Sequence, residues 1–241
     1  MSTQLSRAPA VVTSPPATLR SAVTRAKLVA TAEQLFAERG IDGVTLQEIG
    51  RLSGQRNAAA CQYHFGHREG LLQAIIDKHV PGIAMRRHAL LDAIEAEGRR
   101  DLRSVVQAFV QPVAEKLLDP DGGAHFIRIS AQLVALHTLS VQHLAPSPLR
   151  LPGGDRLTRA LARALRPLNL PRAVSMQRTM LAAVLLFHGL ADHTRMREAA
   201  GRDDGVMDTQ RFVHTLEDAV AALLSGPVSP LPPLLRRHRR G

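Results

Sequence analysis

Residues 44–72 read VTLQEIGRLSGQRNAAACQYHFGHREGLL, and no other stretch restricts the fold of this chain as tightly. Thr45 is a good N-cap, and Glu48 three residues on completes a capping-box pattern. Leu46, Ile49 and Leu52 then fall on one helical face. Gly54 stands where that helix must stop, because glycine accepts the left-handed conformation of a helix C-terminus. The spacing predicts a second short helix over about 56–62, ended by Tyr63-His64-Phe65-Gly66. Helix, short turn and helix is the geometry that lays a second helix in a DNA major groove. His67 is placed to cap a third helix that restarts at once.

The preceding segment supports this reading. Residues 22–39 carry Val23, Ala26, Val29, Ala30, Ala32 and Ala37, and the bulkier Leu28, Leu35 and Phe36, at three- and four-residue spacings. Gly40 closes that helix. Helices of this size bury one small core, for which Leu28, Leu35, Phe36, Val44, Ile49, Leu52, Phe65 and Leu71 are the expected members. Each such side chain contributes roughly 1.5–3 kcal/mol when buried.

AEQLFAERGIDGVTLQEIG, the Tyr63-His64-Phe65 signature and HREGLL at 67–72 make residues 22–76 resemble the DNA-binding domain of the TetR family of transcriptional regulators. The QRN...QYHFG version of the recognition helix is similar to that of a sub-group. In it Tyr63 stands two residues before Phe65, where the usual pattern leaves three. The resemblance implies an all-α protein: an N-terminal three-helix helix-turn-helix domain and a larger C-terminal helical domain for ligand binding and dimerisation. It also implies a homodimer on a palindromic double-stranded DNA operator, released by a small-molecule ligand. Repression rather than activation follows from the family habit alone.

The candidate DNA-contacting residues are Thr45, Gln47, Arg56, Asn57, Ala58, Gln62, Tyr63, His64 and Arg68. Thr45 can meet a phosphate or simply cap its helix. Arg pairs with guanine and Asn with adenine, each worth roughly 1–3 kcal/mol of discrimination, although Asn57 equally suits a cap. Ala58, Ala59 and Ala60 are small enough for close approach of the backbone to the groove. Gln62, Tyr63 and His64 offer hydrogen bonds, and Tyr63 equally suits packing on the domain's own surface. Arg68 lies where the family usually has a phosphate-contacting lysine. Cys61 reads as a small buried thiol, with a redox switch as the alternative.

Charge alone decides little. The chain carries 31 Lys+Arg against 21 Asp+Glu, a formal +10, which favours polyanions. Residues 20–80 nevertheless hold only eight Lys/Arg and six Asp/Glu. The surplus lies in 150–172 and in Arg236-Arg237-His238-Arg239-Arg240, which reads as a solvated terminus. One cysteine excludes an intramolecular disulfide. The N-terminal segment, broken by Pro9, Pro15 and Pro16, reads as a disordered arm over 1–20 rather than a signal peptide. No apolar run is expected to span a membrane, and cytoplasmic residence is the default expectation.

The domain division expected is 21–80 for DNA binding, 81–225 for the larger domain and 226–241 for a Pro/Arg-rich tail. Length suggests two cores, one small and one larger. A helix is expected to 79, which Pro81 kinks or restarts, with its apolar stripe continuing over 83–97; further helices are expected over 102–118 with a kink at Pro112, over 125–144 and over 155–165. A Pro/Gly-rich loop separates the last two. Arg172–Arg197 and Asp208–Leu224 close the fold.

Met176, Met180, Val184, Phe187 and His188 on the first of these closing helices, with Phe212, Leu216 and Val220 on the last, are the expected dimer contacts. The resemblance supports this, since the last two helices of each family subunit form a four-helix interface. An ordinary intrachain core is the alternative. The resemblance also implies a ligand pocket. Phe109, Val113, Phe126, Ile129, Leu133 and His137 are its candidates, and their apolar character favours a hydrophobic ligand.

No cofactor or catalytic residue is expected. His188, Asp192 and His193 resemble a helical metal pair, but too few ligands accompany them, so a metal-dependent enzyme is the weaker alternative. No phosphate loop, GxSxG or HExxH occurs. A nucleic-acid-binding protein of low specificity is the other alternative, marked by a steep salt slope and no preferred sequence.

Overall fold

The protein is seen in a computed structural model that describes residues 17–57, 59–99, 101–138, 154–200 and 205–230. All regular structure among them is helical: α1 Ala17–Arg39, α2 Leu46–Leu52, α3 Ala60–Phe65, α4 Arg68–Ala96, α5 Leu102–Ala114, α6 Gly123–Thr138, α7 Gly154–Leu165, α8 Arg172–Ala200 and α9 Thr209–Ser225. Helical 3₁₀ turns follow α5 (Glu115–Leu118) and α7 (Arg166–Leu168). The expected loop over 145–154 and the Arg-rich terminus lie outside the described residues, apart from Gly154 at the start of α7.

α1 begins at Ala17, so the arm expected over 1–20 is overlapped by helix at its end. Its inner stripe is Leu28, Val29, Ala32, Leu35, Phe36 and Ala37, all buried, whereas Val23 is half exposed. Gly40, at φ 87°, and the Gly40 N–H to Phe36 carbonyl bond of 3.1 Å end the helix. Arg39 then pairs with Glu48 of α2 at 2.6 Å. That pairing takes the carboxylate expected to complete the capping box, and Thr45 alone caps α2 by accepting from the Glu48 N–H at 3.2 Å.

α4 is one continuous helix through Pro81, so of the kink or restart expected there the restart does not occur. Proline removes the N–H that would bond the Asp77 carbonyl. Asp77 and Pro81 are both exposed, so water can take that carbonyl. The division expected at 80/81 therefore falls inside a helix. α5 likewise runs through Pro112 to Ala114.

Two separate cores do not form. One contiguous cluster runs from Leu28 through Leu71, Val106, Ile127 and Leu186 to Leu224, with a small satellite at Leu91, Ile94 and Ala108. Seven of the eight expected core residues of the N-terminal unit belong to it. Leu52 does not: it is 45 % exposed, because a seven-residue α2 turns only Ile49 and Gly50 fully inward.

α6 packs between α8 and the N-terminal unit, touching α1 and α4. Gly122, just before α6, lies against Glu33, while Gln132 bonds Ile41, so α1 and α6 run side by side in the same direction. α8 and α9 pack on each other, and Arg178 of α8 ties down the end of α9 by donating to the carbonyls of Leu224, Gly226 and Pro227.

By length and composition α8 is long and apolar enough to cross a membrane, contrary to the sequence expectation. Leu186, Leu190, Ala191 and His193 turn one side of it into the core. Met176, Leu181 and Met196 are left exposed on the same helix, together with the charged Asp192 and Arg195.

Candidate nucleic-acid interface

α2 and α3 are held as a pair by three local devices. Ser53 closes α2 with its N–H on the Ile49 and Arg51 carbonyls, and Gly54 turns the chain at φ 76°. The Asn57 side chain then accepts from the Ala59 N–H at 2.9 Å, and its carbonyl accepts from the Ala60 N–H at 3.0 Å. Finally Gly66, at φ 73°, ends α3, and His67 caps α4 by accepting from the Gly70 N–H at 3.2 Å. A Cβ at Gly70 would lie on the Phe65 carbonyl oxygen, so this junction of α3 and α4 needs glycine.

The second short helix therefore differs from the expectation of 56–62. α3 spans Ala60–Phe65, and Arg56 and Asn57 sit in the turn before it. Asparagine serves an Asx-type turn as readily as a helix cap, and here it makes the turn. Tyr63, His64 and Phe65 lie within the helix rather than ending it. Cys61 and Phe65, four residues apart, point into the core. Burial pushes the Cys61 thiol up to about 11, so it stays protonated at neutral pH and lacks the thiolate a redox switch requires.

The opposite side of this unit faces solvent. Thr45, Gln47, Arg51, Arg56, Asn57, Gln62 and Tyr63 are exposed, Tyr63 by 85 %, and His64 is half-buried. The Tyr63 and His64 rings meet edge-on, 5.3 Å between centroids. Tyr63 thus does not pack on the domain's own surface. Ala58 lies outside the described residues. Among the described residues Arg51 and Arg56 have no ion-pair partner, and sequence reasoning overlooked Arg51, whose signal was its place on the polar side of α2.

Arg68 is engaged elsewhere. Its guanidinium bonds Asp42 at 2.9 Å and the Val44 carbonyl at 3.2 Å, fastening the α1–α2 turn to the start of α4. Arg25 lies over the Phe65 ring, 4.9 Å from its centroid, and so fastens α1 to α3. Sequence reasoning also missed a polar junction behind the interface. Glu33 of α1, almost fully buried, accepts from Lys78 at 2.8 Å and meets His79 Nε2 at 2.7 Å; Lys78 also bonds Asp121 at 2.8 Å. The His79 ring stacks on Phe126 of α6, 4.6 Å between centroids. An acidic residue inside an otherwise apolar stripe of α1 was the available signal.

The other expected sites fare differently. Leu216 and Val220 are buried within the single chain, so they face its own core and are unavailable to a second subunit. Met176 is 61 % exposed, and Met180, Val184, Phe187, His188 and Phe212 are half-buried. Val113, Phe126 and Ile129 are buried core residues, with Phe109 and Leu133 partly buried beside them. The side chain of His137 lies outside the described residues. A cleft of about 550 Å³ opens instead between α7 and α8, lined by Leu161, Leu165, Thr179, Met176 and Met180 among others. His188, Asp192 and His193, the weaker metal-site alternative, are not brought together: His193 bonds Thr209 at 3.0 Å and stacks on Phe212 at 4.2 Å, while Asp192 pairs with Arg195. Among the described residues no group of three metal-ligating side chains forms.

Residues 28–75 match the family described as bacterial regulatory proteins, tetR family. The N-terminal unit is accordingly a TetR-type helix-turn-helix domain, followed by a larger helical domain. No curated protein matches the chain. Similar solved structures include a protein studied for the control of antibiotic production by a bacterial hormone. It is 21 % identical, with 82 % of this chain and 95 % of that one covered and a TM-score of 0.41. A gamma-butyrolactone receptor (ArpA-like protein) is also 21 % identical, over 85 % of this chain and 83 % of that one, at 0.38. A TetR-family transcriptional regulator from Pectobacterium atrosepticum is 20 % identical, over 90 % and 100 %, at 0.40.

Proposed function

We propose that this chain is a homodimeric, sequence-specific DNA-binding regulator that represses transcription by occupying a palindromic operator. The observation that carries the reading is the outward surface of α2, α3 and the turn between them, where Gln47, Arg51, Arg56, Gln62 and Tyr63 project from a helix pair that Arg39–Glu48 and Arg25–Phe65 fasten to α1, inside the region that matches the family. Side chains of these types supply phosphate contacts and base-edge hydrogen bonds. Arg56 and Asn57 belong to a QRN...QYHFG version of the recognition element, in which the turn before α3, and not only the helix, meets the DNA. The small excess of positive charge in residues 20–80, eight Lys/Arg against six Asp/Glu, argues against binding driven by bulk charge.

Dimerisation is supported by the apolar residues that α8 leaves exposed, Met176, Leu181 and Met196. A small apolar ligand that prefers the non-binding conformation would release the complex. The apolar lining of the cleft between α7 and α8 supports such a ligand class.

Selection of duplexes from a random-sequence pool, in the presence of excess competitor DNA, tests the proposal. The expected product is one consensus with two inverted half-sites whose centres lie about one helical turn, 34–36 Å, or a multiple of it apart. Recovery of sequences with no consensus, with a steep salt slope, would instead favour the low-specificity reading.

A further inference from the structure

We propose that Gln132 of α6 is a positioning residue for DNA binding, the point at which the larger helical domain sets the placement of the helix-turn-helix; this rests on the DNA-binding reading above. The Gln132 amide makes two bonds to the end of α1. Nε2 donates to the Phe36 carbonyl at 3.0 Å, and Oε1 accepts from the Ile41 N–H at 2.9 Å. Both backbone groups flank the helix terminus at Gly40: the Phe36 carbonyl takes the amide as a second donor beside the Gly40 N–H, and the Ile41 N–H lies past the end of α1, where the helix supplies no acceptor. The side chain therefore stands in for a peptide group. Only one orientation of the amide satisfies a carbonyl on one side and an N–H on the other.

Two-point pairing is sensitive to displacement. Hydrogen bonds of this length weaken steeply beyond about 3.2–3.5 Å, so a slide of α6 against α1 by about an ångström loses both. The residues fastened by Gln132 bracket and adjoin those that hold the DNA-facing helices. Arg39 pairs with Glu48 of α2, Asp42 and the Val44 carbonyl hold Arg68 of α4, and Thr45 caps α2. Movement at 40–45 is thereby felt by α2 and by the start of α4.

The other end of the contact resists sliding as well. Gly122 lies directly against the buried Glu33 carboxylate that Lys78 and His79 hold, so α1 is seated on the start of α6 without slack. On its other side α6 packs on α8, and Ile127, Ile129 and Leu133 of α6 belong to the main core or pack against it. A rearrangement of that core is transmitted to α1 through a contact with two defined bonds, not through a diffuse apolar surface.

The test uses the full chain, the duplex selected above, and two variants. Gln132→Met keeps the volume and removes both bonds. Its affinity for the duplex is expected to fall about tenfold or more, because two net hydrogen bonds no longer hold the free protein in the DNA-ready placement. Amides 41–48 should exchange faster in that variant while α8 and α9 keep their protection. Gln132→Glu supplies a pH signature that a merely structural role would not give. Ionised, it opposes the Phe36 carbonyl; protonated, it donates and accepts as glutamine does. Its affinity relative to wild type should recover as pH falls, while that of Gln132→Met stays flat.

Affinity of Gln132→Met within about twofold of wild type would overturn the proposal. So would faster exchange spread evenly over all helices, which marks a residue that only stabilises the fold. If wild type selects no duplex, the DNA-binding reading fails by itself. Unchanged exchange at 41–48 in Gln132→Met would then overturn the clamp as well, whereas local acceleration would uphold it.

Discussion

Arg56 and Arg68 carry the same charge but are held differently. Arg56 projects from the turn before α3 with no ion-pair partner among the described residues, while Arg68 is bonded to Asp42 and to the Val44 carbonyl. Arg56→Ala should therefore reduce discrimination between the selected duplex and random DNA by about 1–3 kcal/mol. Arg68→Ala should weaken binding to both alike and lower the melting temperature. Anisotropy titrations with the two DNAs check this, and a change of preferred sequence on losing Arg68 would contradict it. His193 gives a pH dependence. Burial, reinforced by Arg197 and opposed by Asp208, holds it below its ordinary value of 6.5. As pH falls the unfolded chain takes up the proton first. The stability contributed by neutral His193 is complete above about pH 6.5 and is lost as pH drops through the native value. Thermal melts at a series of pH values should show this decline, and His193→Gln should reduce it; identical slopes would remove His193 as the cause.

At the scale of elements, the helix-turn-helix depends on two glycines where backbones nearly touch, Gly43 and Gly70. Gly70 is the tighter of the two. Gly70→Ala would drive a methyl group into the Phe65 carbonyl and separate α3 from α4, at a cost of about 1–3 kcal/mol. A melting curve should show the loss, together with weakened DNA binding; a variant as stable as wild type would mean that the junction is slack. Element positions were legible in the sequence where capping and apolar period agreed, as for α2 with Thr45 and Gly54. The start of α3 was not legible, because asparagine supports a turn and a helix cap equally, and the Asn57 turn replaced a turn of helix. Continuity of α4 was hidden by Pro81, which breaks a helix unless its freed carbonyl can reach water.

Across the whole molecule, the sequence revealed that the C-terminal helices are apolar but not what they face. Leu216 and Val220 look like interface residues by period alone, and are buried in their own subunit, because a stripe on a helix reads the same against either partner. Gln132 and Glu33 were beyond reach for a related reason: their partners across the α1–α6 and α1–α4 contacts lie 91 and 46 residues away. The exposed part of α8 yields a prediction at this scale. Sedimentation should find a dimer at micromolar concentration, and Leu181→Asp with Met176→Asp should yield a folded monomer. A monomeric wild type would remove α8 as an interface.

The central claim is that the outward surface of α2 and α3 reads DNA sequence. Competition anisotropy tests it most directly. A labelled selected duplex is titrated with unlabelled random DNA, for wild type and for a chain carrying Arg56→Ala and Tyr63→Ala. The wild-type complex should persist under a large excess of random DNA, and the double variant should release the duplex as easily as it releases random DNA. Equal displacement from both proteins would contradict the claim.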